Sequence, residues 1–182
     1  MKANKTLMGA LAMAVIALCA HGGDQRSPGD KALDCVACHG ARGVGEHMNW
    51  PDLAGQQRAY LAKQLADFRS GVRHDPWMSP MAQRLSDADI ADLAAYFSSL
   101  ARGDDTNRIA GTDTAACTAC HGALGLSDNS QWPNLAGQKK IYLQRQLEAF
   151  RDGRRDDPLM SPVARGLSDL QIEALAQYYS KP

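Results

Sequence analysis

Cys35-Val36-Ala37-Cys38-His39 and Cys117-Thr118-Ala119-Cys120-His121 are two copies of one pattern, and the rest of the chain is organised around them. Residues three and four apart share one face of a helix, so the two thiols of each copy can reach the two vinyl groups of one porphyrin. The adjacent histidine, His39 or His121, is then carried beneath the iron as its proximal ligand. C-x-x-C-H is for this reason a signature of covalent c-type haem attachment. A redox disulfide and a shared zinc site also use C-x-x-C pairs. Two copies, each inside a matched domain and behind an export leader, point instead to two covalently bound haem c groups on Cys35, Cys38, Cys117 and Cys120.

An offset of 82 residues superimposes the two halves without a gap. Cys35 meets Cys117, Trp50 meets Trp132, Tyr60 meets Tyr142, Met78 meets Met160 and Tyr96 meets Tyr178, and about half of the positions from 35 to 98 are identical to their counterparts. Two copies are too few for a solenoid, so this is a tandem duplication of one small domain. Each unit is about 75 residues, which by itself gives a meagre core. A buried haem ring supplies the missing apolar centre. The expected organisation is a domain over 21–100, a polar linker over 101–112 and a second domain over 113–182.

The periodicity within each unit is helical and no run alternates like a strand, so the expected class is all-α. Leu61, Leu65 and Phe68 line one face of a segment that ends at Gly71, and Leu143, Leu147 and Phe150 repeat this before Gly153. Further helices start at Ser86 and Ser168, each with a capping-box pattern. A short helix is expected before each Cys motif, with Ser27 or Asp30 and Thr112 or Asp113 as its caps.

The sixth iron ligand has to come from elsewhere in each unit. No second histidine recurs, since His47 faces Asn129 and His74 faces Asp156 in the offset register. Met78 and Met160 do recur, each within Asp-Pro-x-Met-Ser-Pro, whereas Met81 is matched by Val163 and is assigned to packing. Proline on both sides argues against a regular helix and predicts an extended loop that delivers the thioether. His/Met ligation raises the reduction potential relative to His/His, because a soft neutral thioether favours ferrous iron.

A proximal imidazole normally donates its other N–H to a carbonyl. Pro51 and Pro133 could supply that carbonyl, or could simply pack a corner beside Trp50 and Trp132. Arg73 and Arg155 sit just before the methionine segments and could pair with haem propionates or be solvated.

Composition bounds the function classes. The chain has 182 residues, with 20 bases cancelling 20 acids, so no net charge draws it to nucleic acid or to anionic lipid. Lys2 and Lys5 precede an uncharged apolar run from Leu7 to Ala20, which reads as a signal peptide over 1–20 and a periplasmic destination. At roughly 14 residues the run is shorter than the roughly 20 of a spanning helix. A retained anchor with loose membrane association, or lipidation at Cys19, are the other fates open to this segment.

C-x-x-C-H-G, then P-x-L-A-G-Q with Tyr60, then F-R-x-G, M-S-P and L-S-D, present in both halves over residues 30–182, resemble the dihaem cytochrome c4 family. The resemblance implies two tandem class I cytochrome c domains with haem edges near their interface. It implies His39 and Met78, and His121 and Met160, as axial ligands, and Pro51 and Pro133 as carbonyl partners of the histidines. It also implies electron transfer from a quinol-oxidising bc-type complex towards a terminal haem–copper oxidase. Related dihaem subunits serve flavoprotein sulfide dehydrogenases (flavocytochrome c), which is the alternative role. An enzyme such as a peroxidase would need one open iron position, and neither unit lacks its methionine, so the expectation is a carrier and not a catalyst. Trp77 against Leu159 and His74 against Asp156 predict that the two haems differ in potential.

Overall fold

The computed structural model describes residues 25–102 and 114–180. The signal peptide expected over 1–20 and nearly all of the expected linker lie outside the described residues.

The described chain is all-α, with four helices in each half. The first half has α1 (Pro28–His39), α2 (Arg58–Ser70), α3 (Met78–Ala82) and α4 (Asp87–Ser99), and the second has α5 (Ala115–His121), α6 (Lys140–Arg151), α7 (Met160–Arg165) and α8 (Asp169–Tyr179). Among the described residues there is no strand, only an isolated parallel bridge between Gln138 and Ser180.

Local sequence explains the ends. Ser27 caps α1 by accepting from the Asp30 N–H at 3.2 Å, and Pro28 occupies the first turn, where no amide donor is needed. The helix stops at His39 because Gly40 takes φ +80°, and a Cβ there would lie 2.2 Å from the Val44 carbonyl oxygen. Gly122 ends α5 in the same way. Both expected capping boxes form, Ser86 with Asp89 and Ser168 with Gln171. In the second half α5 starts later than expected, at Ala115 behind Thr114, whose side chain makes no cap bond. Thr112 and Asp113, the caps expected from sequence, lie outside the described residues.

The extended loop expected around Met78 is corrected. Met78 and Met160 are the first residues of α3 and α7. Pro80 and Pro162 fall within the first turn of these helices, where the missing N–H leaves no bond unmade. The flanking prolines therefore permit a short helix instead of forbidding one.

In each half, two helices pack on the third: α4 receives α1 and α2, while α6 receives α7 and α8, and α3 rests on α2. The main apolar clusters are small. Ala32, Leu61, Leu93, Ala94 and Phe97 form one, and Leu143, Leu175, Ala176 and Tyr179 form the other. Cys35 and Cys117 border these clusters, so a haem attached there extends the core of each half.

No helix of one half packs on a helix of the other among the described residues. The halves meet instead through loops and long side chains, and the contacts obey a pseudo-two-fold relation. The Gln138 amide pairs with the Asp52 backbone, donating to its carbonyl at 3.0 Å and accepting from its N–H at 2.9 Å. The Gln56 amide does the same with Asn134, at 2.9 and 2.7 Å. Both glutamines are buried.

Candidate functional site

Each candidate site starts at the end of a helix. Cys35 and Cys38 on α1, and Cys117 and Cys120 on α5, are half-buried. Burial, with Asp34 and Cys38 adding to it, pushes the Cys35 thiol up to about 11. Among the described residues no three His, Cys, Asp or Glu side chains gather into a metal-holding cluster.

His39 and His121 close their helices and are both buried. The His39 Nδ1–H donates to the Pro51 carbonyl at 2.8 Å, and the His121 Nδ1–H to the Pro133 carbonyl at 2.9 Å. A carbonyl can only accept, so this contact assigns the proton to Nδ1 and leaves the Nε2 lone pair available. Burial lowers both histidines below their usual range, against the opposing pull of the carbonyl bonds, and keeps the imidazoles neutral.

Asp75 and Asp157 set the methionines. The Asp75 carboxylate accepts from the Met78 and Trp77 N–H groups, each at 2.9 Å, and the Asp75 N–H donates to the Ser79 hydroxyl at 3.1 Å. Asp157 repeats this on Met160, Leu159 and Ser161. Met78 and Met160 are half-buried on these pinned first turns. The Met81 sulfur accepts from Arg84 and is thereby engaged elsewhere.

Arg73 and Arg155 are half-buried and engaged by protein groups. Each guanidinium lies over an aromatic ring of its own half, Arg73 at 4.4 Å from the Phe68 centroid and Arg155 at 4.3 Å from that of Phe150. Each then crosses to the other half. Arg73 donates to Gln64, to Gln146 at 2.8 Å and to Tyr142 at 3.3 Å. Arg155 donates to Gln146, to Gln64 at 2.7 Å and to Tyr60 at 3.1 Å. Neither forms an ion pair with a carboxylate of the described residues, so two cations share one interface with neutral partners only. Burial opposes ionisation of Tyr60, yet the Arg155 and Arg73 charges outweigh it and hold the hydroxyl below the usual tyrosine range. Such a field calls for anions, and haem carboxylates supply that chemistry.

A neutral imidazole with Nε2 unengaged, two thiols on one helical face, a pinned thioether and an uncompensated cation pair all fit a haem in each half. The family model described as Cytochrome c matches residues 28–101 and again residues 110–180. The chain belongs to the cytochrome c family. Within it the chain is a dihaem protein of the cytochrome c4 type, with two covalent haem c groups, and an electron carrier, not an enzyme. It is 36 % identical to cytochrome c4 of Pseudomonas aeruginosa, over 96 % of this chain and 97 % of that protein. It is also 36 % identical to the thiosulfate dehydrogenase electron acceptor of Stutzerimonas stutzeri, over 82 % of this chain and 79 % of that one. The crystal structure of reduced recombinant cytochrome c4 from Pseudomonas stutzeri superposes with a TM-score of 0.75 at 34 % identity, covering 87 % of this chain and 98 % of the other.

The interface role of the glutamines and tyrosines is not evident from their motifs alone. The signal was present, because Gln56, Tyr60 and Gln64 are identical to Gln138, Tyr142 and Gln146 in the offset register. Identity of polar residues across a repeat marks them as holding something other than solvent.

Proposed function

We propose that the chain is an exported, periplasmic electron carrier whose irons are ligated by His39 with Met78 and by His121 with Met160. The boundaries proposed for it are a leader over 1–20, domains over 21–100 and 113–182, and a connecting segment over 101–112. A haem with both axial positions filled takes up and returns one electron with little rearrangement. The observation that carries this reading is the matched pair of sites. The same histidine–carbonyl bond and the same aspartate-pinned methionine occur in both halves. Neither half departs from the pattern as a catalytic haem would require.

Arg73 and Arg155 are proposed to hold the propionates at the interface, and this joins the two sites into one relay. The physiological direction proposed is from a quinol-oxidising bc-type complex to a terminal haem–copper oxidase. Among the described residues no helix is long and apolar enough to cross a membrane, and the proposed carrier docks on these complexes from the aqueous side.

A second reading has a specific observation behind it. The likeness to a thiosulfate dehydrogenase electron acceptor supports reduction by a dehydrogenase instead of by a quinol-oxidising complex. A flavoprotein sulfide dehydrogenase is a further donor of this class. One experiment separates these donors. The holoprotein is mixed anaerobically with membranes and quinol, then with a dehydrogenase and its sulfur substrate, and haem reduction is followed. Quinol-driven reduction sensitive to a bc-complex inhibitor, followed by reoxidation through membranes and oxygen, supports the carrier. Reduction by the dehydrogenase alone supports the second reading.

A further inference from the structure

The side-chain contacts of the pseudo-two-fold interface are broken beside the proximal histidine of the first half. Asp52 and Asn134 are counterparts in the repeat, as are Gln57 and Lys139. Asp52 and Asn134 share one role, accepting from the N–H of Gly45 at 3.1 Å and of Ser127 at 3.0 Å. Their partners across the boundary differ. The Lys139 ammonium donates to the Asp52 carboxylate at 2.8 Å and to the Trp50 carbonyl at 3.1 Å. At the equivalent place the Gln57 amide donates to the Ser127 carbonyl at 2.7 Å, with Asn134 at 3.5 Å. The Asn134 amide can also donate, which it does to the Gly55 carbonyl at 3.0 Å, whereas a carboxylate cannot. One side is therefore an ion pair and the other an amide pair, each chemically self-consistent.

The ion pair is buried, with side-chain exposures of 6 % for Lys139 and 9 % for Asp52. Its atoms bracket Pro51, since Lys139 binds the residue before it and the residue after it. The Pro51 carbonyl is the acceptor for His39. The imidazole of the first half thus feels Lys139 and Asp52, with Asp75 as a further charge, while among the described residues burial and the Pro133 carbonyl alone act on His121. Net charge does not distinguish the halves: residues 25–102 hold nine bases and nine acids, and residues 114–180 hold seven of each. Asp75 has a counterpart in Asp157, whereas the buried charge pair has none, so the pair is the difference in charged residues between the two histidine sites.

We infer that Lys139, reaching from the second domain, and Asp52 of the first form a potential-setting pair for the haem attached at Cys35 and Cys38. The pair has no equivalent at the other haem, so the second domain biases the poise of the first. The inference rests on the two-haem, His/Met reading above. Neither residue touches the iron or its ligands; both act as fixed charges through space and through the peptide that holds His39.

The test uses three variants of the full-length holoprotein, Lys139→Gln, Asp52→Asn and the double variant, which copies the Gln57–Asn134 arrangement. Potentiometric titration, with each haem assigned by NMR of its hyperfine-shifted methyl groups, gives the readout. Lys139→Gln strands a carboxylate and should lower the potential of the first haem. Asp52→Asn strands an ammonium and should raise it. The double variant should lie between the two, with the second haem moving least throughout. The His39 Nδ1–H resonance should shift in opposite directions in the two single variants. The near-infrared sulfur-to-iron bands keep the two failures apart. If the unsubstituted holoprotein lacks them, the ligation reading itself fails. If they persist but both single variants shift the first haem the same way, move both haems equally or leave both unmoved, the pair is structural and the inference is overturned. Should a single variant not fold, the charge-free double variant alone decides: a change in the gap between the two potentials supports the inference, and an unchanged gap overturns it.

Discussion

The two domains share a chassis and differ in how it is tied together. In the first, α1 runs from Pro28 to His39 and Lys31 is buried against α4, with its ammonium 2.8 Å from Asp89 and 2.7 Å from Asp92. The Asp89 contact is an ion pair without the alignment of a hydrogen bond. In the second, α5 is five residues shorter, and Gln171 and Ala174 replace the two aspartates. The histidine–carbonyl bond, the pinned methionine and the crossed arginines are common to both. The histidine and methionine settings and the crossed arginines are thus kept in duplicate, while the Lys31 brace within one domain and the Asp52–Lys139 contact between domains each occur once.

Removing either methionine tests whether the two sites are truly equivalent. Met78→Ala and Met160→Ala should each abolish one of two near-infrared sulfur-to-iron bands and lower one potential, because the soft thioether is gone. Retention of both bands in either variant would show that the ligand lies elsewhere.

The interface offers a gentler version of the same test. Gln56→Ala and Gln138→Ala each leave a backbone N–H and a carbonyl of the opposite domain without their partner. Each should cost about 1–3 kcal/mol in denaturant unfolding. The two losses should be similar, since the bonds are two-fold mates, and a markedly unequal pair would break the symmetry claimed for the interface.

Acid should sharpen the difference between domains. The Lys31 ammonium and then the Ser86 hydrogen bond lower the Asp89 carboxyl to about 2, against the opposing effect of burial. A depressed carboxylate stabilises the fold above its unfolded value and loses that contribution as pH falls through its folded value. The first domain should therefore lose stability between about pH 4 and pH 2 through Asp89. The second should lack this component, because Gln171 does not titrate. Domain-resolved unfolding of the wild type and of Asp89→Asn measures it, and an unchanged acid limb in the variant would reject the assignment.

The smallest effect concerns caps. Ser168→Ala should cost about 1 kcal/mol, the usual value for an N-cap. Ser86→Ala should cost more, because the Ser86 hydroxyl donates at 2.7 Å to the carboxylate of the Lys31 ion pair, whereas that of Ser168 donates at 3.0 Å to the neutral Gln171 amide. Equal losses in thermal unfolding would separate cap from brace.

Much of this was legible in the sequence. The C-x-x-C-H spacing, the offset register and the serine caps are local signals, and each depends on a few neighbouring residues. The short helix at Met78 was misjudged because proline excludes helix interiors but not first turns, and only the position of Asp75 fixes which applies. Arg73 and Arg155 were ambiguous because their partners come from the other domain, 69 to 95 residues away in the chain. The Asp52–Lys139 pair was hidden for the same reason. Its trace was a double exchange, acid for amide at one repeat position and base for amide at another.

The crossed bonds have a further consequence. Each side-chain bond that Arg73 or Gln56 makes across the interface recurs with the roles of the domains exchanged, as does the bond to the Tyr60 hydroxyl, which is the mark of a surface complementary to itself. On a free single-domain protein such a patch would join two copies only at sufficient concentration. Here the partner is covalently continuous, so the contact is intramolecular and its occupancy does not depend on dilution. Distance and orientation between the two haem sites are then properties of one molecule, held constant however few copies the compartment contains.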